Sequence, residues 1–148
     1  MTGYFQGAIT SGTGPSQSSN TGVAVLEQSV TVTTVSAGTA VSGTITLPAN
    51  SQILNFTVDR IVAQSVGGGT ATAIAATVGT AAAGTEYMSS TAAVSAGRLA
   101  PTLTVAQLNA MSNIGSNTNV VLTIAPNGTI LTTQGQFLLT VTYVPPIT

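Results

Sequence analysis

The sequence predicts an all-β protein, an antiparallel β-sandwich of jelly-roll-like or immunoglobulin-like type, with an extended N-terminal arm. Short runs alternate apolar and hydroxyl residues, and the last is the clearest, since Phe137, Leu139, Val141 and Tyr143 share one parity. A period of two is typical of a strand with one face on a core. Turn-forming residues separate the runs at roughly 8–12-residue spacing, which favours a sandwich or barrel.

Residues 1–22 are predicted to form the arm, and residues 23–148 a single β-sandwich domain. Segment 12–22 contains only Gly, Ser, Thr, Asn, Gln and one Pro, so we expect it to be irregular. Upstream of it, Tyr4, Phe5 and Ile9 form a small apolar cluster. The arm is either a frayed terminus or a segment that docks on a neighbouring subunit. The aromatic residues favour docking slightly, so these three are candidate interface residues.

The strands of the domain are predicted from the same alternation. Threonine, of which the chain has 27, is β-branched and suits the outer face of a pleated sheet. Residues 71–96 are rich in alanine and are interpreted as strand, loop and strand. The residues predicted to face the core in the other runs share one parity within each run: Val30 and Val32; Val41, Ile45 and Leu47; Leu54, Phe56, Val58 and Val62; Val120, Leu122 and Ile124.

Two turns and one helix complete the predicted secondary structure. Residues 48–51 read Pro-Ala-Asn-Ser and predict a turn. The pair Asn127-Gly128 predicts a hairpin between Ile124 and Ile130. Residues 104–111 predict a helix of one or two turns, because Thr104 is a suitable N-cap and Val105 and Leu108 are three apart.

The composition excludes most catalytic chemistry. Only 3% of the residues are charged, and the chain has no His, Cys or Trp, whereas ordinary surfaces are about 25–35% charged. A serine triad lacks its base, and zinc lacks its usual His and Cys ligands. We therefore expect no enzyme, no metal site and no cofactor. With two basic residues and no apolar run approaching about 20 residues, neither nucleic acid nor membrane is an expected partner.

The five charged residues are Glu27, Asp59, Arg60, Glu86 and Arg98. Neighbours in a strand point to opposite faces, so Asp59 and Arg60 are not expected to pair with each other. Arg60 is either part of a surface ion pair at a strand end or part of an intersubunit pair. Glu86 and Arg98 could pair across a hairpin. Buried charges need partners, and basic residues are scarce, so Arg60 and Arg98 are also candidate interface residues.

The segment 41–98 resembles small β-rich virion proteins of tailed bacteriophages, the kind that decorate or cement capsids or form head and tail appendages. The resemblance lies in the run from Ile45 through Leu47-Pro48-Ala49-Asn50 to Leu54, and in Val78-Gly79-Thr80 before Glu86-Tyr87. It implies a protein without catalytic residues. It also implies homo-oligomeric contacts, with trimers around capsid axes known for several such proteins, although nothing in the sequence indicates that symmetry.

We therefore predict a non-enzymatic virion structural protein, most simply a decoration or cement subunit on the capsid surface. It would pack against the major capsid protein or another virion protein, and against sister subunits. One alternative is a receptor- or glycan-binding fibre module that uses Tyr87 and Tyr143. Another is a self-polymerising sheath or pilus subunit, because edge strands without charges tend to pair.

Overall fold

The computed structural model describes residues 9–10, 19–20, 24–35, 37–62, 73–93, 97–116, 119–128 and 134–146. The described secondary structure is mostly β, with one short helix. In chain order the elements are β1 (Ile9–Thr10), β2 (Ser19–Asn20), β3 (Leu26–Thr33), β4 (Val41–Thr46), β5 (Gln52–Val62), β6 (Ala73–Gly79), β7 (Met88–Ala92), β8 (Gly97–Arg98), α1 (Val105–Ser112), β9 (Asn119–Asn127) and β10 (Gln136–Val144).

Eight of these strands form two four-stranded antiparallel sheets, which confirms the predicted β-sandwich. Sheet 1 has the order β3-β10-β5-β8, and sheet 2 has the order β4-β9-β6-β7. The pairs β3–β10, β4–β9, β5–β8 and β6–β7 are nested, first with last and second with next to last. This nesting is the winding of a jelly roll rather than that of an immunoglobulin domain.

The core lies between the two sheets, and the predicted alternation of β10 is confirmed. Phe137, Leu139 and Val141 are fully buried and Tyr143 is nearly so, while their neighbours along the strand are only partly buried. β10 is hydrogen-bonded on both sides, to β3 and to β5. A long strand with paired edges and a continuous apolar face is therefore the centre of sheet 1.

Two register shifts in β5 change which of its residues face the core. Thr142 lies opposite Asn55, but Tyr143 lies opposite Ile53, so Leu54 is an extra residue in the ladder. Such a bulge reverses the parity of the strand. The prediction that Leu54 faces the core is wrong: Ile53 is buried and Leu54 is 47% exposed. A second shift leaves Ile61 without an opposite residue, and Val62, also predicted inward, is exposed.

The hairpin predicted between Ile124 and Ile130 is not observed at Ile124, which pairs with Val41 on one side and Ala76 on the other, and Ile130 lies outside the described residues. β9 ends at Asn127 in sheet 2, whereas β10 begins at Gln136 in sheet 1. The two strands pair with other partners, so the chain crosses between the sheets after Gly128, which has a φ of 105°. The turn at residues 48–51 is confirmed. It also crosses between sheets, with Asn50 at a φ of 60° and the Ser51 backbone N–H donating to the Pro48 carbonyl at 3.2 Å.

The helix begins where the sequence predicts, but it buries different residues. The Thr104 hydroxyl accepts from the Gln107 backbone N–H, and the Gln107 side chain accepts from the Thr104 backbone N–H, which is a capping box. Gln107 and Met111 are buried, whereas Val105 and Leu108 are 73% and 51% exposed. The three-residue spacing that predicted the helix therefore marks its outer face.

Within the predicted arm, the structure describes two short strands. Ile9 pairs with Asn20 and Thr10 with Ser19, and together these residues form a two-stranded sheet separate from the sandwich sheets. Ser19–Asn20 is thus extended and paired, although segment 12–22 was expected to be irregular throughout. Tyr4 and Phe5 lie outside the described residues, as does the side chain of Ile9. Their role at an interface remains a prediction.

Candidate interaction surfaces

Asp59 and Arg98 neutralise each other's charge within the chain. These residues lie directly opposite each other on β5 and β8. Arg98 Nε donates to Asp59 Oδ1 at 2.7 Å, and a second guanidinium nitrogen donates to Oδ2 at 2.9 Å. This hydrogen bonding from Arg98 lowers the pKa of Asp59, and the carboxylate in turn raises the pKa of Arg98. The pair fastens the two-residue strand β8 to the edge of sheet 1.

Glu86 does not pair with Arg98 as predicted; its carboxylate is held by backbone instead. The Thr80 backbone N–H donates to Glu86 Oε2 at 3.0 Å. A Cβ at Gly79 or Gly84 would collide with the same oxygen, so both glycines make room for it. Hydrogen bonds from its own backbone N–H and from that of Thr80 lower the pKa of Glu86. Backbone N–H groups of the turn after β6 therefore offset the negative charge of Glu86.

Arg60 is partly buried, and no carboxylate of the described residues pairs with it. No described acidic group lies within 4.0 Å of it; the ion pair of the described residues is Asp59–Arg98. One of its terminal nitrogens donates to the Ala93 carbonyl at 3.5 Å, which is a weak contact. Its Nε is buried and has no hydrogen-bond partner. Among the described residues, Arg60 is thus the cation that has no opposite charge beside it.

Glu27 is the corresponding anion. It lies near the start of β3 and is exposed. The contact to its carboxylate is a hydrogen bond of 3.5 Å from the Thr142 hydroxyl. No described basic group lies within 4.0 Å of it, since Arg98 is paired with Asp59 and Arg60 lies near the other end of sheet 1. Sequence reasoning missed Glu27 as a site residue because its isolation depends on where the other four charges lie.

The outer face of sheet 1 is rich in hydroxyl groups. Because the inward residues of β10 are known, the register identifies which residues of β3 and β5 point outward beside Leu138, Thr140 and Thr142. Three of the outward residues are charged: Glu27 lies beside Thr142, and Asp59, with its partner Arg98, lies beside Leu138. The outward residues with hydroxyl or amide side chains in the same rows and the next are Ser29, Thr31, Thr33, Asn55, Thr57, Thr140 and Thr142.

The outer face of sheet 2 is partly covered by its own chain. Val121 and Thr123 point away from the core, yet both are buried. The Ala83 backbone N–H donates to the Thr123 hydroxyl at 2.8 Å, so the turn after β6 folds back over β9. The Thr77 hydroxyl, opposite Thr123, is buried and has no hydrogen-bond partner. Ser42, Thr44 and Thr46 leave the β4 side of this face exposed.

Exposed apolar side chains gather at the two ends of sheet 1. At the end that contains Glu27, Val25, Leu26 and Leu54 are 56%, 41% and 47% exposed. Leu26 and Leu54 share this end because Leu26, Tyr143 and Ile53 form one row of the sheet. We call Val25, Leu26, Glu27 and Leu54 the Glu27 end.

The opposite end of sheet 1 has the same make-up with the other charge. Ile61 is 55% exposed, and Val35 and Val62 are each 36% exposed. Thr33, Gln136 and Val62 form the last row of the sheet, and Arg60 lies in a row beside it. We call Val35, Arg60, Ile61 and Val62 the Arg60 end.

The aromatic platform proposed for a glycan is absent from the surface of the described residues. Tyr87 is 2% exposed and Tyr143 is 3% exposed, and both belong to the core. The Tyr143 hydroxyl accepts a hydrogen bond of 2.8 Å from Gln28. Burial raises the pKa of the Tyr87 hydroxyl. Neither ring can stack on a ligand without unfolding the sandwich.

A small cavity lies beside the helix, but its chemistry is limited. Its volume is about 150 Å³, and Glu86 is the carboxylate that reaches it. That carboxylate is already held by backbone N–H groups. In the described ranges, no group of three acidic, His or Cys residues could hold a metal ion, and no helix there is long and apolar enough to cross a membrane. The cavity is lined by Thr80, Glu86, Tyr87, Ala110, Asn113 and Ile114.

Comparison with known proteins gives one informative likeness. A chain of the cyanophage Pam1 capsid asymmetric unit has a similar structure, with a TM-score of 0.61 and 21% sequence identity. The likeness covers 98% of this chain and 98% of that one. No protein-family model and no curated protein matches the sequence. At this identity the likeness shows that the two chains share a fold over essentially their whole length.

Proposed function

We propose that this protein is a non-enzymatic structural subunit of a bacteriophage particle, and specifically a decoration or cement subunit on the capsid surface. It stabilises the shell by packing against the major capsid protein, or another virion protein, and against sister subunits. The observation that carries the proposal is the full-length likeness to a chain of a cyanophage capsid asymmetric unit, in a protein whose surface is almost free of charge.

The hydroxyl-rich outer face of sheet 1 supports this role physically. Hydrophobic burial contributes about 25 cal/mol per Å² of apolar surface removed from water. Burying an unpaired charge opposes association strongly, whereas a hydroxyl that finds a partner costs little. The outward threonines of sheet 1 present methyl and hydroxyl groups without a net charge. The part of the face formed by these threonines can be covered by another subunit with little loss of solvation free energy.

The structure of the described region offers little to a catalytic alternative. Of the three acidic residues, Asp59 is paired with Arg98 and Glu86 is held by backbone. Glu27 lies at the edge of sheet 1, on its outer face, whereas the backbone that holds Glu86 belongs to sheet 2. A two-carboxylate mechanism needs both groups across one substrate, about 5–10 Å apart. This arrangement supports a structural role.

The proposal is tested on virus particles purified from a culture that produces this protein. Quantitative mass spectrometry should find the chain in a fixed ratio to the major capsid protein. Deleting its gene should leave particles that release their genome at a lower temperature, and adding back the purified protein should restore the original temperature. The proposal fails if the chain remains in the soluble lysate while particles lack it.

A further inference from the structure

We propose that copies of this protein associate end to end, with the Glu27 end of one copy seated on the Arg60 end of the next. The inference rests on the proposed role of an assembling subunit and assigns it a specific contact. It names a second copy of this chain as the partner of both ends.

Three of the five charged side chains are satisfied by groups of the chain itself. Asp59 and Arg98 neutralise each other through two hydrogen bonds of 2.7 and 2.9 Å. Glu86 is held by backbone N–H groups of its own turn. Among the described residues this leaves one anion, Glu27, and one cation, Arg60, each with a single hydrogen bond of 3.5 Å. These two remaining charges are opposite in sign.

Glu27 and Arg60 cannot meet within one copy. Glu27 lies in the row of Thr142, and Arg60 lies in the row of Phe137, five rows further along sheet 1. At about 3.4 Å per residue and about 4.8 Å per strand, their Cα atoms are about 20 Å apart. In addition, Glu27 is on the outward side of its strand, whereas Arg60 shares the parity of the buried Val58. Only another molecule can bring the two charges together.

The surroundings of the two charges match as well as their signs. Six of the eight exposed large apolar side chains of the described residues lie at these two ends, three at each; the other two, Val105 and Leu108, are on the helix. An end-to-end contact would bury both apolar groups and place the carboxylate of Glu27 beside the guanidinium of Arg60. Arg60 Nε, which is buried without a partner, shows that this guanidinium is incompletely satisfied in the single chain. Interfaces place such ion pairs among apolar contacts, where truncation of one partner is strongly felt.

The geometry also determines the kind of assembly. The two ends are different surfaces, so their contact is heterologous. A heterologous contact closes into a ring if the rotation permits and otherwise extends as a filament. The expected product is therefore an assembly that can grow beyond two copies.

Charge reversal tests the contact in the purified full-length protein by sedimentation velocity. Glu27→Arg gives two positive ends and Arg60→Glu gives two negative ends, so each variant should associate at least about tenfold more weakly than the original protein. The doubly exchanged variant, Glu27→Arg with Arg60→Glu, should regain association. An equimolar mixture of the two single variants should form assemblies that neither forms alone.

A matched control separates the contact from a general effect of charge. Thr44→Glu and Thr44→Arg alter charge in the middle of β4, on the exposed part of sheet 2 and away from both ends, and should leave association unchanged. Thermal unfolding of every variant shows whether it remains folded. If Arg60→Glu fails to fold because the side chain is partly buried, Arg60→Gln replaces it and should also weaken association.

Two results would overturn the inference. One is a protein that remains a monomer up to about 100 μM, well above the Kd of ordinary specific complexes. The other is an assembly that the single reversals do not weaken. Either result leaves the proposed virion role intact, because that role is judged separately by whether the chain is present in purified particles.

Discussion

Gly43 provides a sharp test of how closely the two sheets approach each other. It lies in β4, between the inward-facing Val41 and Ile45, and across the sandwich from β3. A Cβ built at this position would lie 2.6 Å from Val32 Cγ2 and 3.1 Å from Val30 Cγ2. The first distance is too short for carbon atoms in contact, so one sheet edge would have to move or a stiff valine would have to change its rotamer.

Gly43→Ala should therefore destabilise the protein, although glycine to alanine in a strand ordinarily gains about 0.5–1 kcal/mol. Overpacking costs about 1–3 kcal/mol, so the middle of the two ranges leaves a net loss of about 1 kcal/mol. For a chain of this size, each kcal/mol lowers the Tm by about 2–4 °C. Urea unfolding followed by circular dichroism measures the change in the free energy of unfolding.

A double-mutant cycle with Val32→Ala provides the control for Gly43→Ala. Removing the valine methyl groups makes room for the new Cβ, so the two substitutions together should cost at least about 0.5 kcal/mol less than their separate costs added. The reasoning is refuted if Gly43→Ala is as stable as the original protein or more stable. It is also refuted if the two substitutions are additive, since the valine would then not be what obstructs the Cβ.

Three further predictions concern the bulge, the helix cap and the acid response. Leu139→Ala should lower the free energy of unfolding by about 2–5 kcal/mol because the side chain is fully buried, whereas Leu54→Ala should change it by less than about 0.5 kcal/mol; equal losses in urea melts would place Leu54 in the core. Gln107→Ala should cost about 1–3 kcal/mol, because its amide also donates to the Thr85 carbonyl and the Ser89 hydroxyl at 3.1 and 3.0 Å, whereas Asn109→Ala on the exposed side of the same helix should be nearly neutral. The lowered folded-state pKa of Glu86 means that its carboxylate contributes stability above its ordinary pKa of 4.5, and that this is lost as pH falls through the folded-state pKa. Denaturant melts between pH 7 and pH 3 should thus show the advantage of the original protein over Glu86→Gln shrinking with acid, and an advantage that grows would contradict the assignment.

The regular part of the sandwich is predictable from the sequence because its strands follow one rule. Phe137, Leu139 and Val141 alternate with polar residues over a stretch with no bulge among them, so counting parity gives the correct inward face. The same counting fails in β5. Leu54 is an extra residue that reverses the parity of the strand. Its position is determined by the pairing of Ile53 with Tyr143 rather than by the local pattern.

Strand pairing is the second property that local sequence does not determine. Asn127-Gly128 favours a tight turn, yet the jelly-roll winding pairs β9 with β4 and β6, and β10 with β3 and β5. The choice depends on contacts between residues far apart in the chain. The next described strand along the chain, β10, belongs to the other sheet.

The candidate surfaces also combine features that the local sequence predicts with features that depend on residues far apart in the chain. Composition alone indicates a surface with few charges, and the separation of Asp59 from Arg60 follows from strand geometry. The partner of Arg98 is Asp59 rather than Glu86 because β8 lies beside β5. Glu86 is instead satisfied by the turn that contains Gly79 and Gly84. The isolation of Glu27 and Arg60 emerges only after the other charges have been assigned partners.

The scarcity of charge then acquires a structural meaning. Three of the five charged groups are neutralised or held within the protein, and serine and threonine hydroxyl groups lie on the outer face of sheet 1 between Glu27 and the Asp59–Arg98 pair. What remains is one charge of each sign, each beside exposed apolar side chains. In this account, stability of the single chain comes from the core between the sheets, and assembly comes from the two ends and the hydroxyl-rich outer face of sheet 1.

Electron cryo-microscopy of native particles tests the central claim most directly. The account predicts density on the shell lattice into which both four-stranded sheets fit, repeated in an ordered arrangement, with neighbouring copies or capsid protein covering the hydroxyl-rich outer face of sheet 1. A reconstruction whose density is fully explained by other proteins, from a preparation in which this chain stays in solution, would contradict it.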